Sequence, residues 1–320
     1  MMGRRATNSK VARLGFTGHE TFPFRITWPK KALDAVLADP QVFGREDALV
    51  TLGVGKNMVR SMRHWGLALN ILCERELGAL RGEPAVQPTD FGRALLSEWD
   101  PYLEDPASLW MLHWQLVRSP ARTATWYYAF NVLPRLEFTR SDLVKAVRTW
   151  AEGHGARAAD RSIVRDVDCF VRTYAASRPT RTVPLEDTLL CPLAELGLVR
   201  TADSGRSFVL ERADRPGLPD ELVASVLVDF LVRRFEGLST IAFDDIAFAA
   251  GSPGRVFVFS EEAFLVRLER LERITAGKLA YDETAGLRQI AIRGTLPTSL
   301  EIMSDYFQKA RLDVRRGVAA

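Results

Sequence analysis

The sequence predicts a mainly α protein with small antiparallel β wings, built as tandem winged helix-turn-helix modules. Three observations lead there. A helix, glycine turn, helix pattern near residues 46–69 is followed by hairpin and closing-helix signals, a similar order returns twice, and an aromatic segment at helical spacing separates the first copy from the second.

The first copy lies in Gly44–Glu74. Glu46–Leu52 reads as a short helix, Gly53 to Gly55 breaks it, and a second helix runs from Lys56 to about Leu69. Met58, Met62, Trp65 and Leu69 follow one another at intervals of four, three and four, which gathers them on a buried face. Lys56, Arg60, Arg63 and His64 fall on the other side. A hairpin over Leu80–Pro88 with a Gly82 turn follows, then PTDFGRALL, where Thr89 can cap a closing helix. In a winged helix the second helix enters the major groove and the hairpin touches the backbone.

The second copy begins at FTRSDLVKAVRTWAE, a helix capped by Ser141 or Thr139. It continues through the helix SIVRDVDCFVRTYAA and ends in LEDTLLCPLAELGLVRTADSGRSFVLER as helix, Gly197, strand, Gly205 turn, strand. The third runs from a helix at Asp220–Phe235 through FDDIAFAAG and RVFVFSEEAFLVRLERLERI to the strand, turn and strand of KLAYDETAGLRQIAIR. Between the first and second copies, Trp110, Trp114, Trp126, Tyr127 and Tyr128 sit at helical spacing, which reads as packing between helices rather than a base-stacking platform. Pro120 and Pro134 mark breaks and Arg212–Pro219 a linker. The expected domains are residues 1–135, a winged helix with a basic lead-in and an aromatic helical extension; 136–215, a central winged-helix-like unit; and 216–320, a C-terminal helical and winged-helix-like unit.

Composition narrows the function classes. With 320 residues, 47% of them apolar, the chain can bury a large core, and a formal charge of +3 is too small to mark a nucleic-acid binder by itself. Cys73, Cys169 and Cys191 are widely spaced with no Cys-x-x-Cys pair, which fits a reducing cytoplasm and argues against a zinc ribbon or redox motif. The opening MMGRRATNSKVAR is basic but lacks the apolar core of a secretory signal, and no window is long enough to span a bilayer. The expectation is a cytoplasmic protein with no membrane partner.

Candidate site residues fall into three groups. Lys56, Asn57, Arg60, Arg63 and His64 are the DNA-binding candidates, offering the donors that phosphates and guanine edges accept; the alternative is a solvated face of a protein-interaction module. LGVGKN is not a phosphate loop, because Asn57 follows the lysine and the glycines are too close together. In GHETFPFR, His19 and Glu20 have the chemistry for proton transfer and Arg25 for holding a phosphate; the competing reading is a hydrogen-bonded anchor under Phe22 and Phe24. His64, His113 and His154 complete no metal spacing with His19. Arg165, Asp166, Asp168 and Arg172 form a second polar group. Asp168 and Arg172 are four apart and can pair, whereas Asp166 and Asp168 point apart, and Cys169 beside them reads as a buried thiol.

GFTGHETFPFR, EDALVTLGVGKNMVRSMRHW, PTDFGRALL, SIVRDVDCFVRTY and EDTLLCPLAELGLV together resemble an uncharacterised-domain family of bacterial DNA phosphorothioation gene clusters, encoded beside cysteine desulfurases and adenylyl-sulfate-reductase-like enzymes. The resemblance runs from Gly15 to about Val199 and is less distinct in the final third. It implies a protein acting on double-stranded DNA in a pathway that replaces a non-bridging phosphate oxygen by sulfur, nicking one strand as a member of this family does, with sulfur-transfer proteins as partners. No PD-(D/E)xK or HNH signature is present, and the resemblance carries over no catalytic residue. Mg2+ is compatible with strand hydrolysis but not required by the sequence. A non-catalytic DNA-binding adaptor that recruits the sulfur-transfer enzymes, and a transcription regulator, remain as alternatives.

Overall fold

The computed structural model describes residues 13–75, 85–175 and 191–317. The basic lead-in, the Gly82 turn and Leu185–Leu190 of the expected second-copy helix lie outside the described residues. Three blocks of helices, each ending in a small antiparallel hairpin, follow one another along the chain.

In the first block, α1 (Trp28–Ala38), α2 (Ala48–Leu52) and α3 (Lys56–Ala68) precede β1 (Leu72–Glu74) and β2 (Val86–Pro88), which pair in register Cys73 to Gln87. Thus α2 starts two residues later than the sequence suggested, and the first hairpin strand lies in Leu72–Glu74, ahead of the expected Leu80. The glycine break is real: Gly53 is left-handed at φ 60, where a side chain is disfavoured. On α3, Met62, Trp65 and Leu69 are buried and Met58 half-buried, as the spacing required. Thr89 caps α4 (Asp90–Arg93), its hydroxyl accepting the Gly92 N–H at 2.9 Å, and the helix runs on as a π-helical turn, Ala94–Trp99.

Next come α5 (Pro106–Val117) and α6 (Ala124–Asn131). Here Trp110, Trp114, Trp126 and Tyr128 are buried, and the half-buried Tyr127 stacks on Trp150, so the aromatic segment is packing.

In the second block, β3 (Glu137–Thr139) leads into α7 (Arg140–Gly153), α8 (Asp160–Tyr174), a 3-10 turn at Pro192–Leu196, β4 (Val199–Ala202) and β5 (Ser207–Leu210). The expected helix at Phe138 therefore begins as a strand, because Phe138 pairs with Phe208 across the sheet. The helix cap is Thr139, in a capping box with Asp142.

In the third block, α9 (Asp220–Arg234) and β6 (Thr240–Ala242) precede α10 (Phe243–Phe248), α11 (Pro253–Val256), α12 (Glu261–Leu268) and α13 (Leu271–Ile274). The hairpin β7 (Leu279–Thr284) and β8 (Leu287–Ile292) follows, then α14 (Ser299–Gly317). Both later sheets have the same plan: the first strand of the block pairs with the last strand of the hairpin, giving orders β3-β5-β4 and β6-β8-β7.

One continuous hydrophobic core joins the blocks. α14 packs along α9 and reaches the first block, where Phe307 stacks on Trp99 at 5.2 Å and Tyr306 donates to Asp105. The expected linker Arg212–Pro219 is irregular but pinned. Its buried Arg215 donates to the carbonyls of Phe257, Gly197 and Val258, while the buried Arg267 reaches back to the carbonyls of Leu218 and Arg215 and to Asp220. Backbone oxygens around Arg215, and backbone oxygens with the Asp220 and Asp214 carboxylates around Arg267, offset the cost of burying the two charges.

Candidate functional site

GHETFPFR lies across α3, and three residues of that helix on one face receive it in turn. Gly18, at φ +109, packs so closely on His64 that a Cβ would sit 2.5 Å from its Nδ1. Ser61 donates to the His19 carbonyl at 2.9 Å, and the Trp65 indole donates to the Phe22 carbonyl at 2.9 Å. To make this crossing, Glu20 and Thr21 both adopt left-handed φ values, 47° and 65°. For the β-branched Thr21 that conformation is strained and persists only because its surroundings fix it. Three contacts do so: the Thr21 N–H donates to His19 Nδ1 at 3.0 Å, the Phe22 N–H donates to the His19 carbonyl at 2.8 Å, and the Arg172 guanidinium donates to the Thr21 carbonyl.

Because His19 Nδ1 accepts a backbone N–H, its ring proton sits on Nε2, which donates to Asp166 Oδ1 at 3.0 Å. His19 is 2% exposed and Asp166 fully buried. The second Asp166 oxygen accepts the Thr125 N–H at 3.3 Å in the first turn of α6, where a negative charge is favoured by the helix dipole. The two polar clusters that are 147 residues apart in sequence are therefore one structure. His19 has no free ring nitrogen for proton transfer. Glu20 is half-buried and its carboxylate makes no hydrogen bond or ion pair among the described residues; Arg25 is half-buried with its guanidinium 5.7 Å from the Trp28 ring.

Two expectations need correction here. Asp168 does not pair with Arg172: its carboxylate meets Arg140 at 3.3 Å, while Arg172 turns to Thr21 and touches only the Asp168 backbone carbonyl. His64 is not on the solvent face of α3. It is buried beside His19, ring centroids 5.9 Å apart, because the crossing segment covers that side of the helix. Burial, helped by the His19 ring and by Arg122 and Arg63, lowers its pKa to about 3, so it is neutral at pH 7. The other α3 candidates divide. Lys56, Asn57 and Arg60 are exposed and make no side-chain hydrogen bond or ion pair among the described residues. Arg63 is half-buried and donates to Glu74 at 3.3 Å, and Arg122 reaches the other Glu74 oxygen at 2.9 Å. Partial burial opposes the Glu74 charge, yet Arg122 and then Arg63 hold its carboxyl below the usual range.

The sequence reading missed a further buried histidine. His113 on α5 accepts from the Tyr174 hydroxyl at Nδ1 (2.7 Å) and donates from Nε2 to the Val256 carbonyl (2.9 Å), tying α5, α8 and α11 together. Burial again lowers its pKa to about 3. Both histidines are depressed from 6.5, so as pH falls below about 6.5 the unfolded chain takes up protons that the folded chain excludes. Stability is complete above that pH and is lost toward pH 3. At pH 5 each histidine is expected to remove about 2 kcal/mol relative to pH 7.5. Urea unfolding at the two pH values measures this, and equal midpoints would show that the imidazoles accept protons in the fold. Cys169 is buried with its thiol pushed well up by burial, which makes it inert. No group of three or more His, Cys, Asp or Glu side chains is assembled to hold a metal among the described residues, and none of their helices is long and apolar enough to cross a membrane.

Fold and site define an α-rich protein of repeated helix-and-hairpin blocks, locked by buried histidine contacts and presenting a short basic face on α3. The chain belongs to the family described as Protein of unknown function (DUF4007), whose model matches residues 16–307. Two solved structures are similar to it over nearly their whole length. A magnesium ion-bound SspB crystal structure matches with TM-score 0.84 and 30% identity, covering 95% of this chain and 92% of that one. A second SspB crystal structure matches with TM-score 0.83 and 31% identity, covering 94% and 90%. No curated protein matches the sequence.

Proposed function

We propose that this protein is the DNA-binding component of a bacterial DNA phosphorothioation system and nicks one strand at or near the site of modification. Likeness to SspB supports the system. The observation that carries DNA binding is the face of α3 formed by Lys56, Asn57 and Arg60, whose cations and amide are exposed and uncommitted to any described residue. In the winged-helix reading, α3 is the recognition helix, the β1–β2 hairpin is the wing, and the units 1–135, 136–215 and 216–320 are its domains. Lys56 opens α3 after Gly55, where no side chain caps the helix, so uncapped backbone N–H groups and a cation share the helix end that favours a phosphate.

Lys56→Ala with Arg60→Ala is expected to weaken duplex binding and reduce its salt slope by about two units, one for each lost phosphate contact, with melting unchanged. An unchanged slope would remove α3 from the interface.

For the chemistry, Glu20 is the candidate for proton transfer and Arg25 for charge on the phosphate, since His19 and Asp166 are spent on each other. For the magnesium ion named for one SspB structure, no group of three or more His, Cys, Asp or Glu side chains is assembled here among the described residues. Supercoiled plasmid incubated with and without magnesium tests nicking directly. The commitment of His19 and Asp166 to structure favours one competing reading, a non-catalytic adaptor that brings DNA to a cysteine desulfurase or other sulfur-transfer partner. Plasmid that stays supercoiled at high protein concentration decides for the adaptor.

A further inference from the structure

Arg122 belongs to none of the elements that the DNA-binding reading invokes. It lies between α5 and α6, more than fifty residues from α3 in sequence, yet its guanidinium shares the Glu74 carboxylate with Arg63 of α3. Each arginine places a terminal nitrogen on a separate oxygen of it. One carboxylate is thus shared by two cations. Arg63 is one helical turn beyond Arg60, so the trio continues the basic face of α3 across the wing strand β1, which carries Glu74.

The backbone that carries Arg122 is fixed on both sides. Gly15 donates to the Pro120 carbonyl at 3.0 Å and accepts from the Ala124 N–H at 2.9 Å. A Cβ on Gly15 would stand 2.4 Å from the Ala121 carbonyl oxygen and 2.7 Å from the Arg122 Cα, so the two segments touch backbone to backbone. The Thr123 hydroxyl donates to the Leu116 carbonyl at 2.8 Å. The guanidinium is held by Glu74, the side chain is half-exposed, and the rigid fork loses little freedom when it meets a planar anion.

Resting on the DNA-binding reading, we infer that Arg122 is a DNA phosphate contact and that Glu74 occupies its guanidinium, with that of Arg63, until a phosphate takes over the carboxylate's role. The footprint then extends beyond the first helix-and-hairpin block to the α5–α6 segment, and both sides of the wing strand meet the duplex backbone.

The test measures duplex affinity against salt for the full chain and for Arg122→Gln, Glu74→Gln and the Lys56, Arg60 double variant, with melting temperatures. Arg122→Gln keeps most of the side-chain stem, so folding survives, and its salt slope should fall by about one unit. Glu74→Gln removes the competing carboxylate and should tighten binding by about two- to fivefold, the worth of an exposed ion pair. Opposite directions for these two variants support the inference. A salt slope and affinity unchanged by Arg122→Gln, with binding weakened in the double variant, overturns it while leaving the DNA-binding reading intact. Parallel losses in Arg122→Gln and Glu74→Gln make the ion pair purely structural and also overturn it. Wild-type protein with no salt-dependent DNA binding overturns both.

Discussion

Trp65→Ala is expected to cost about 3 to 5 kcal/mol of folding stability, the range for truncating a buried tryptophan. Trp65 is 1% exposed and stands where three pieces of the fold meet. Its ring lies 5.8 Å from that of Phe24 in the crossing segment, 5.6 Å from Trp126 of α6 and 5.2 Å from His64 of its own helix. Its indole N–H donates to the Phe22 carbonyl. Truncation would leave a large cavity and an orphaned carbonyl, and would release the segment that carries His19 and Glu20. The loss should therefore sit toward the upper end of that range, and, if the chain binds DNA as proposed, binding should fall only as folded protein is lost. A variant that melts at the wild-type temperature but no longer binds DNA would put Trp65 in the interface instead.

The role of Trp65 was legible because helical spacing is a local property. The same logic found Met62 and Leu69, and local chemistry found the cap Thr89 and narrowed the other to Ser141 or Thr139, of which Thr139 is the cap. What the chain alone concealed is long-range. Spacing placed His64 opposite the buried face of α3, but a helix inside a larger core can be covered on two sides, and here the second cover is GHETFPFR. Likewise, Asp168 and Arg172 are correctly spaced for a pair, yet Arg140 from α7 and the Thr21 carbonyl offer each a partner that periodicity does not reveal. Strand β3 was hidden because its partner lies about seventy residues on, and three residues carry no period. One signal was available and unread: Asp166 falls three residues after Ile163 and four before Phe170, on the apolar stripe of α8. A carboxylate on a buried stripe needs a donor, and His19 is that donor.

Asp166→Ala should accordingly be about as damaging as loss of Trp65, about 3 to 5 kcal/mol, since each of two buried donors left without an acceptor costs about 1 to 3 kcal/mol. Two donors, the His19 Nε2–H and the Thr125 N–H, would lose their acceptor in a space that water does not reach, and the start of α6 would lose its negative charge. With the His19 ring released, the left-handed turn at Glu20 and Thr21 would lose the Thr21 N–H contact to Nδ1, one of the three that fix it. Glu20→Gln supplies the contrast, because the Glu20 carboxylate has no bond to lose among the described residues and its volume is kept. That variant should melt within a degree or so of wild type, and if Glu20 moves the proton in strand cleavage, nicking should fall by about 100- to 10,000-fold. The two substitutions separate the roles of one short segment. Asp166→Ala with wild-type melting would mean that the His19 contact anchors nothing, and a stable Glu20→Gln protein that nicks at the wild-type rate would remove Glu20 from the chemistry, leaving GHETFPFR as the piece that locks α3 to α8.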